Sequence, residues 1–571
     1  MCTNIVFAKH IPYLYAPAGS RYAHFDPNGV TILPDGRLIR PYGRSAPMAK
    51  WPNNMVLSPD GLTAFIASQG EGQFITRWSS DSPRITSILP PRDSTGNVES
   101  SGGGAVFSPD GKTLYWSSGE TGKIYFVSVS EGRIVADVNL NAPMKGKSYK
   151  DSFATDLKVS DNGRYLYCSD VTNFRLVIVD IMKHAVVGTV DVGRYPYALA
   201  VAGSKVYVAN IGLFRYQAIP PAKTGGRFQR GLSFPAFGFP SQEAINGVQF
   251  EGRHVPGLGP ANSPEAFSVW GVDVSKPAEP KVISRIQTGL LIGSPTHNGI
   301  CIGGSAPNFL AVRGHSLYVS DGNNDMVERI DLKSQRVIWR SRITPSPLVS
   351  HLRGVDPAGL AVSPDGSRIY AAEMGLNAIG VLNADSGRLL GEIPTAWYPY
   401  RIVISHDGRH LGVICFRGFG NGPSGGAEIP KSPFLGMKGV FTSFPVPSTV
   451  DLKRLTTQTL ANNGIIDRSA DRSKMASPII PTSPGTPSKK IKYVVFITKE
   501  NHTFDTIFDH IPGASSDPSL LRWGYHQTLS SPGQPTLSDV PVMTNHNELA
   551  KQFTVSDNYY MEPEYSGVGH R

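Results

Sequence analysis

The sequence predicts a mainly β protein: a seven-bladed β-propeller followed by an incomplete α/β segment. Two observations carry this. A phrase consisting of a small or apolar strand, a Ser-Pro-Asp-Gly-like turn and an aromatic, β-branched strand recurs through residues 31–448. Beyond residue 490 the texture changes to a continuous apolar run followed by acidic and amide side chains, the pattern of a strand buried on both faces of an α/β sheet.

The turns read Ser58-Pro59-Asp60-Gly61, Ser108-Pro109-Asp110-Gly111, Ser160-Asp161-Asn162-Gly163, Ser363-Pro364-Asp365-Gly366 and Ser405-His406-Asp407-Gly408. Proline presets φ early in such a turn and the Asp/Asn-Gly pair supplies positive φ, so each joins two antiparallel strands. The strands that follow include Thr63-Ala64-Phe65-Ile66-Ala67, Thr113-Leu114-Tyr115-Trp116-Ser117, Tyr165-Leu166-Tyr167-Cys168-Ser169 and Ile369-Tyr370-Ala371-Ala372. Two copies with degenerate turns precede Val206-Tyr207-Val208-Ala209-Asn210 and Leu317-Tyr318-Val319-Ser320, and Val413-Ile414-Cys415 completes seven units. Successive turns lie roughly 40 to 50 residues apart, the period of a four-stranded blade.

The irregular stretch of about 214–264, rich in Gly, Pro and aromatics, reads as an insertion decorating one blade. The opening segment Thr31-Ile32-Leu33-Pro34-Asp35-Gly36-Arg37-Leu38-Ile39 is expected to close the ring by pairing with Gly439-Val440-Phe441-Thr442-Ser443-Phe444, because closure removes exposed sheet edges. Ser448 is placed to cap a helix through Leu452, Leu455 and Leu460 that ends near Asn463-Gly464. A Pro/Ser/Thr/Lys stretch, 477–490, then reads as a linker. The predicted organisation is an N-terminal extension (1–30), the propeller (31–448), a helix and linker (449–490) and a C-terminal segment (491–571).

Composition agrees with many short strands joined by tight turns: the 571 residues include 60 Gly and 46 Pro. The formal charge of +10 is scattered, with its densest cluster at Lys489, Lys490 and Lys492, so it reads as a solvated basic surface and not as a specific nucleic-acid site. The four cysteines are far apart without CxxC spacing, which argues against a zinc knuckle or an attached haem; Cys168 and Cys415 read as buried thiols. His297, His315 and His351 are too irregularly spaced to imply a redox metal in the propeller channel. No stretch of about twenty apolar residues is present to span a membrane, and no signal peptide is visible at the N-terminus.

Val206-Tyr207-Val208-Ala209-Asn210 and its surroundings resemble the YVTN-repeat propeller family. In the C-terminal segment, Tyr493-Val494-Val495-Phe496-Ile497 leads into Thr498-Lys499-Glu500-Asn501-His502-Thr503-Phe504-Asp505. Acidic and amide groups at the tip of such a strand sit where open α/β sheets place their ligands, and hard oxygens there suit a divalent cation. A second phrase, Phe553-Thr554-Val555-Ser556-Asp557-Asn558-Tyr559-Tyr560-Met561, is followed by Tyr565-Ser566-Gly567-Val568-Gly569-His570.

These phrases resemble the phosphoesterase family that includes bacterial phospholipase C and acid phosphatase, within the alkaline phosphatase-like superfamily. The resemblance implies a divalent metal held by Glu500 and Asn501, with Ser566 as nucleophile toward a phosphate-ester substrate. It further implies phosphate contacts from His570 and Gly567 and support from Asp505, Asp557 and Asn558. Asp505 is equally placed to cap the helix after it, and surface or cap roles suit His502 and His546. The family's later His and Asp ligands lie beyond Arg571, so weak metal binding and little turnover are expected of this chain. Relatives of this architecture are often exported. The alternative reading is a non-catalytic propeller that binds a protein or glycan partner, with a remnant hydrolase segment.

Overall fold

The computed structural model describes residues 14, 16–91, 103–144, 146–212, 242–250, 253–257, 259–260, 262–296, 299–420, 438–467, 479, 488–497, 499, 502–508 and 511–557. The chain divides into two compact units, Leu14–Asp467 and a second made of Met1–Tyr13 with Arg468–Arg571.

Seven four-stranded antiparallel sheets make up the first unit. Their innermost strands are Pro52–Leu57, Ala105–Phe107, Ala154–Val159, Pro196–Ala202, Pro307–Arg313, Pro357–Val362 and Trp397–Ile404. Each packs against the next, and the seventh packs against the first, so the ring is closed. The core lies between blades. Phe65 and Phe74 of the first blade meet Phe107, Trp116 and Tyr125 of the second, with Phe65 edge-on to Trp116 at 5.5 Å. The strand after each turn is deeply buried, which is why aromatic and β-branched residues concentrate there: Val206, Tyr207 and Val208 are all 0% exposed.

The recurring turns are built as the sequence implies. Gly61 takes φ 71° and its N–H donates to the Ser58 carbonyl at 2.8 Å. The Ser58 hydroxyl donates to Asp60 and accepts the Thr63 N–H at 2.9 Å, while Asp60 accepts the Leu62 N–H. Ser363 and Asp365 repeat the device, and these bonds hold the Asp365 carboxyl down to about 2, with the Ser363 hydroxyl the largest cause. The serine and aspartate are therefore turn scaffolding.

Ring closure corrects one expectation. The strand that pairs with Lys438–Pro445 is Arg44–Lys50, in the register Arg44↔Ser443 and Ala46↔Phe441. Thr31–Ile32 instead pairs with Leu38–Ile39 as a separate hairpin. The Pro34-Asp35-Gly36 turn folds that segment back on itself, and Arg37 secures it by donating to the Gly375 carbonyl and to Asn463. Closure by an N-terminal strand holds; its identity is shifted toward the blade.

The fourth blade carries the insertion between its second and third strands, Lys205–Asn210 and Ser268–Asp273. Its described part contains helix Gln242–Asn246 and a hairpin of Gly247–Phe250 with Arg253–Pro256. Helix Thr449–Asn462 is capped by Ser448, whose hydroxyl accepts the Asp451 N–H. It covers the outer strand of the sixth blade, Leu389–Pro394: the Thr456 hydroxyl accepts the Glu392 N–H at 2.9 Å, satisfying an edge that would otherwise face solvent.

The second unit differs from the expected α/β segment. Its described residues form short helix Phe504–Ile507, helix Thr544–Gln552 and a hairpin of Gln527–Leu529 with Leu537–Val540, with no parallel sheet among them. Tyr493 through Ile497 are not in a strand, and their side chains are 79% to 89% exposed. A strand needs a hydrogen-bonded neighbour, and no described segment pairs with this run.

Candidate functional site

Most residues assigned by the resemblance, namely Glu500, Asn501, Asn558, Ser566, Gly567 and His570, lie outside the described residues. Asp505 is half-buried and accepts the Asp517 N–H at 2.8 Å; Thr503, not Asp505, stands at the N-cap of Phe504–Ile507. Asp557 accepts the Ser515 N–H at 2.6 Å. His502 lies edge-on to Trp523, and His546 sits 3.0 Å from Lys499, where partial burial and then the lysine charge lower its pKa. No group of three or more His, Cys, Asp or Glu among the described residues is arranged to hold a metal. Oxygen donors such as Glu500, Asn501 and Ser566 fit a hard divalent cation in kind, though they are too few to hold it alone.

The described residues do form a polar and aromatic cluster on the inner ring of the propeller. Residues at the start of the inner strands gather at the end opposite the Ser-Pro-Asp-Gly turns. The hydroxyls of Tyr197, on the fourth blade, and Tyr400, on the seventh, meet at 2.6 Å. Phe309 of the fifth blade packs against both rings, edge-on to Tyr400 at 5.1 Å and to Tyr197 at 6.1 Å. Phe416 stacks on Tyr400 at 4.1 Å and Trp51 approaches Phe416 at 5.9 Å. Burial, followed by the neighbouring Tyr197, pushes the Tyr400 hydroxyl well above its ordinary pKa, so it stays protonated.

Charged groups sit beside this cluster. Arg401 stacks over the Phe309 ring at 4.1 Å. On the third blade, Asp156 accepts two bonds from Lys158 at 2.9 Å and also the Leu199 N–H of the next blade, latching two inner strands together. Lys158 is 31% exposed, yet the enclosing wall lowers its pKa by desolvation, opposed by Asp156 and reinforced by the charge of Arg401. Close approach of the sixth and seventh inner strands positions Arg401. A Cβ at Gly359 would lie 2.4 Å from the Tyr400 carbonyl and 2.9 Å from the Arg401 Cα, so only glycine fits.

Sequence reasoning passed over Lys158 and Arg401. The available signal was a full charge inside an inner strand, as in Ala154–Val159 and Trp397–Ile404, whose other residues are mostly apolar. The buried thiols are where the sequence put them: Cys168 and Cys415 are 0% exposed, and burial pushes the Cys415 thiol up to about 12. His315 lies on an exposed turn, and His297 falls outside the described residues.

Comparison with protein-family models and with curated proteins finds no match. Among solved structures, hydrazine synthase of Kuenenia stuttgartiensis is similar over 64% of this chain and 93% of its own, with 14% identity and a TM-score of 0.41. At that level no chemistry is transferable.

Proposed function

We propose that the protein is a YVTN-type propeller joined to a segment of the alkaline phosphatase-like phosphoesterase kind, and that its reaction is hydrolysis of phosphate esters. The observation that carries this reading is the phrase Lys499-Glu500-Asn501-His502-Thr503-Phe504-Asp505 directly after an apolar run.

In this reading Glu500 and Asn501 hold a divalent cation, and Ser566 supplies the attacking hydroxyl. The cation, when bound, lowers the pKa of a coordinated hydroxyl and neutralises charge on the phosphate. Gly567 lets the backbone approach a phosphate oxygen closely, and His570 donates to one. Asp557 and Asp505 act indirectly, by fixing the backbone N–H groups of Ser515 and Asp517. The propeller serves as a binding or regulatory domain.

The test is hydrolysis of p-nitrophenyl phosphate and of its bis-ester by the longest polypeptide that the reading frame encodes, with and without divalent metal. Metal-dependent turnover that Ser566→Ala reduces by about a thousandfold or more is expected for loss of a nucleophile. Equal rates in variant and parent reject the hydrolase and leave the non-catalytic propeller as the reading.

A further inference from the structure

Among the described residues, one cation of the propeller's inner ring has no counter-charge or hydrogen-bond acceptor. Four residues of the seven inner strands bear a full charge: Asp156, Lys158, Arg313 and Arg401. Arg313 lies at the turn end and donates to the Pro364 carbonyl. Lys158 and Asp156 satisfy each other. Arg401 makes no hydrogen bond or ion pair among the described residues, and its Nε is buried without a partner. A guanidinium has five donors, and its stacking on Phe309 satisfies none of them.

We propose that the propeller channel beside Arg401 binds a small oxyanion, a carboxylate or a phosphate group. The planar fork of Arg401 matches two oxygens of such a group, while the ammonium of Lys158 is already spent on Asp156 and the Leu157 carbonyl. The Tyr197–Tyr400 pair holds two hydroxyl protons and uses one in its mutual bond, which leaves one O–H to donate. Tyr400 and Arg401 share Phe309 as a neighbour, so the hydroxyl and the guanidinium belong to one locality. The aromatic cluster screens one end from water, and the partial exposure of Lys158 leaves solvent access. An anion here gains from a low-dielectric wall that strengthens each charge-assisted bond. The inference is independent of the phosphoesterase reading, because every residue in it belongs to the propeller.

The test is calorimetric titration of the full chain with inorganic phosphate and, separately, acetate, in a low-chloride buffer containing a chelator that silences any metal site. Saturable binding of one or both probes is expected, weakened at least tenfold by Arg401→Gln and unchanged by Arg454→Gln on the exposed face of helix Thr449–Asn462. Binding of phosphate alone assigns a phosphate-bearing ligand, and binding of acetate alone a carboxylate. Absence of saturable binding by both probes, or equal affinity in Arg401→Gln, overturns the proposal. Should that variant fail to fold, Arg401→Lys, which keeps the charge and loses the planar fork, is expected to weaken binding, and unchanged affinity there overturns it equally.

Discussion

Two runs of similar composition meet opposite fates in this protein. Val206-Tyr207-Val208 and Tyr493-Val494-Val495 both combine an aromatic residue with β-branched neighbours. The first is 0% exposed, with Val208 paired to Leu199 on one side and Trp270 on the other. The second is more than 80% exposed at each of its three positions and belongs to no strand. Intrinsic β-propensity is shared, so it does not decide the outcome. The propeller run has neighbours supplied on both sides by its own blade. For the second run no described segment plays that part.

This contrast is testable residue by residue. The largest effect is expected within the third blade, where Arg175 and Asp170 form an ion pair at 2.8 Å with both side chains 0% exposed. Arg175 also donates to the Leu140 carbonyl and stacks on Tyr149. Arg175→Leu leaves the Asp170 carboxylate without its cation and is expected to cost about 3–5 kcal/mol in urea unfolding. A loss within experimental error would mean that the blade is not packed as described.

A second effect depends on pH. Glu373 and Glu392 of the sixth blade are both 0% exposed; burial first, then the charge of Glu392, raises the Glu373 carboxyl, and burial raises Glu392 from 4.5 to about 7. Their neighbourhood is tight, since a Cβ on Gly380 would lie 2.0 Å from the Glu373 Oε1. A carboxyl with a higher pKa folded than unfolded holds its proton better in the native state. Its stabilisation is complete below the unfolded value of 4.5 and is lost as pH rises through about 7. Thermal stability is therefore expected to fall between those values, and Glu392→Gln to make that slope shallower. An unaltered slope in the variant would show that the pair does not share a proton.

Smaller still is Ser363→Ala, which removes the hydroxyl that accepts the Arg368 N–H and donates to Asp365. The expected loss in urea unfolding is about 1 kcal/mol. The smallest is Val495→Asp in the exposed run, expected to change stability by no more than about 0.5 kcal/mol. A cost comparable to that of Arg175→Leu would place Val495 in a packed core.

The propeller was legible because each turn announces two strands and repeats at a fixed period. Its closing strand was not, since Arg44–Lys50 begins and ends on charged residues, contains a proline and carries none of the apolar alternation of an inner strand. Arg401 and Lys158 escaped notice because their significance lies in a ring assembled from distant blades. The C-terminal phrase displays its chemistry in the order of its residues, yet burial of its apolar lead-in depends on segments that no local window contains.

Amide hydrogen exchange on the intact chain, read by mass spectrometry, tests the contrast most directly. Peptides covering Tyr165–Asp180 are expected to remain protected for hours, because both strands there are paired on each side. Peptides covering 493–497 are expected to exchange at the rate of an unstructured chain. Protection of the 493–497 amides comparable to that of the third blade would contradict the account.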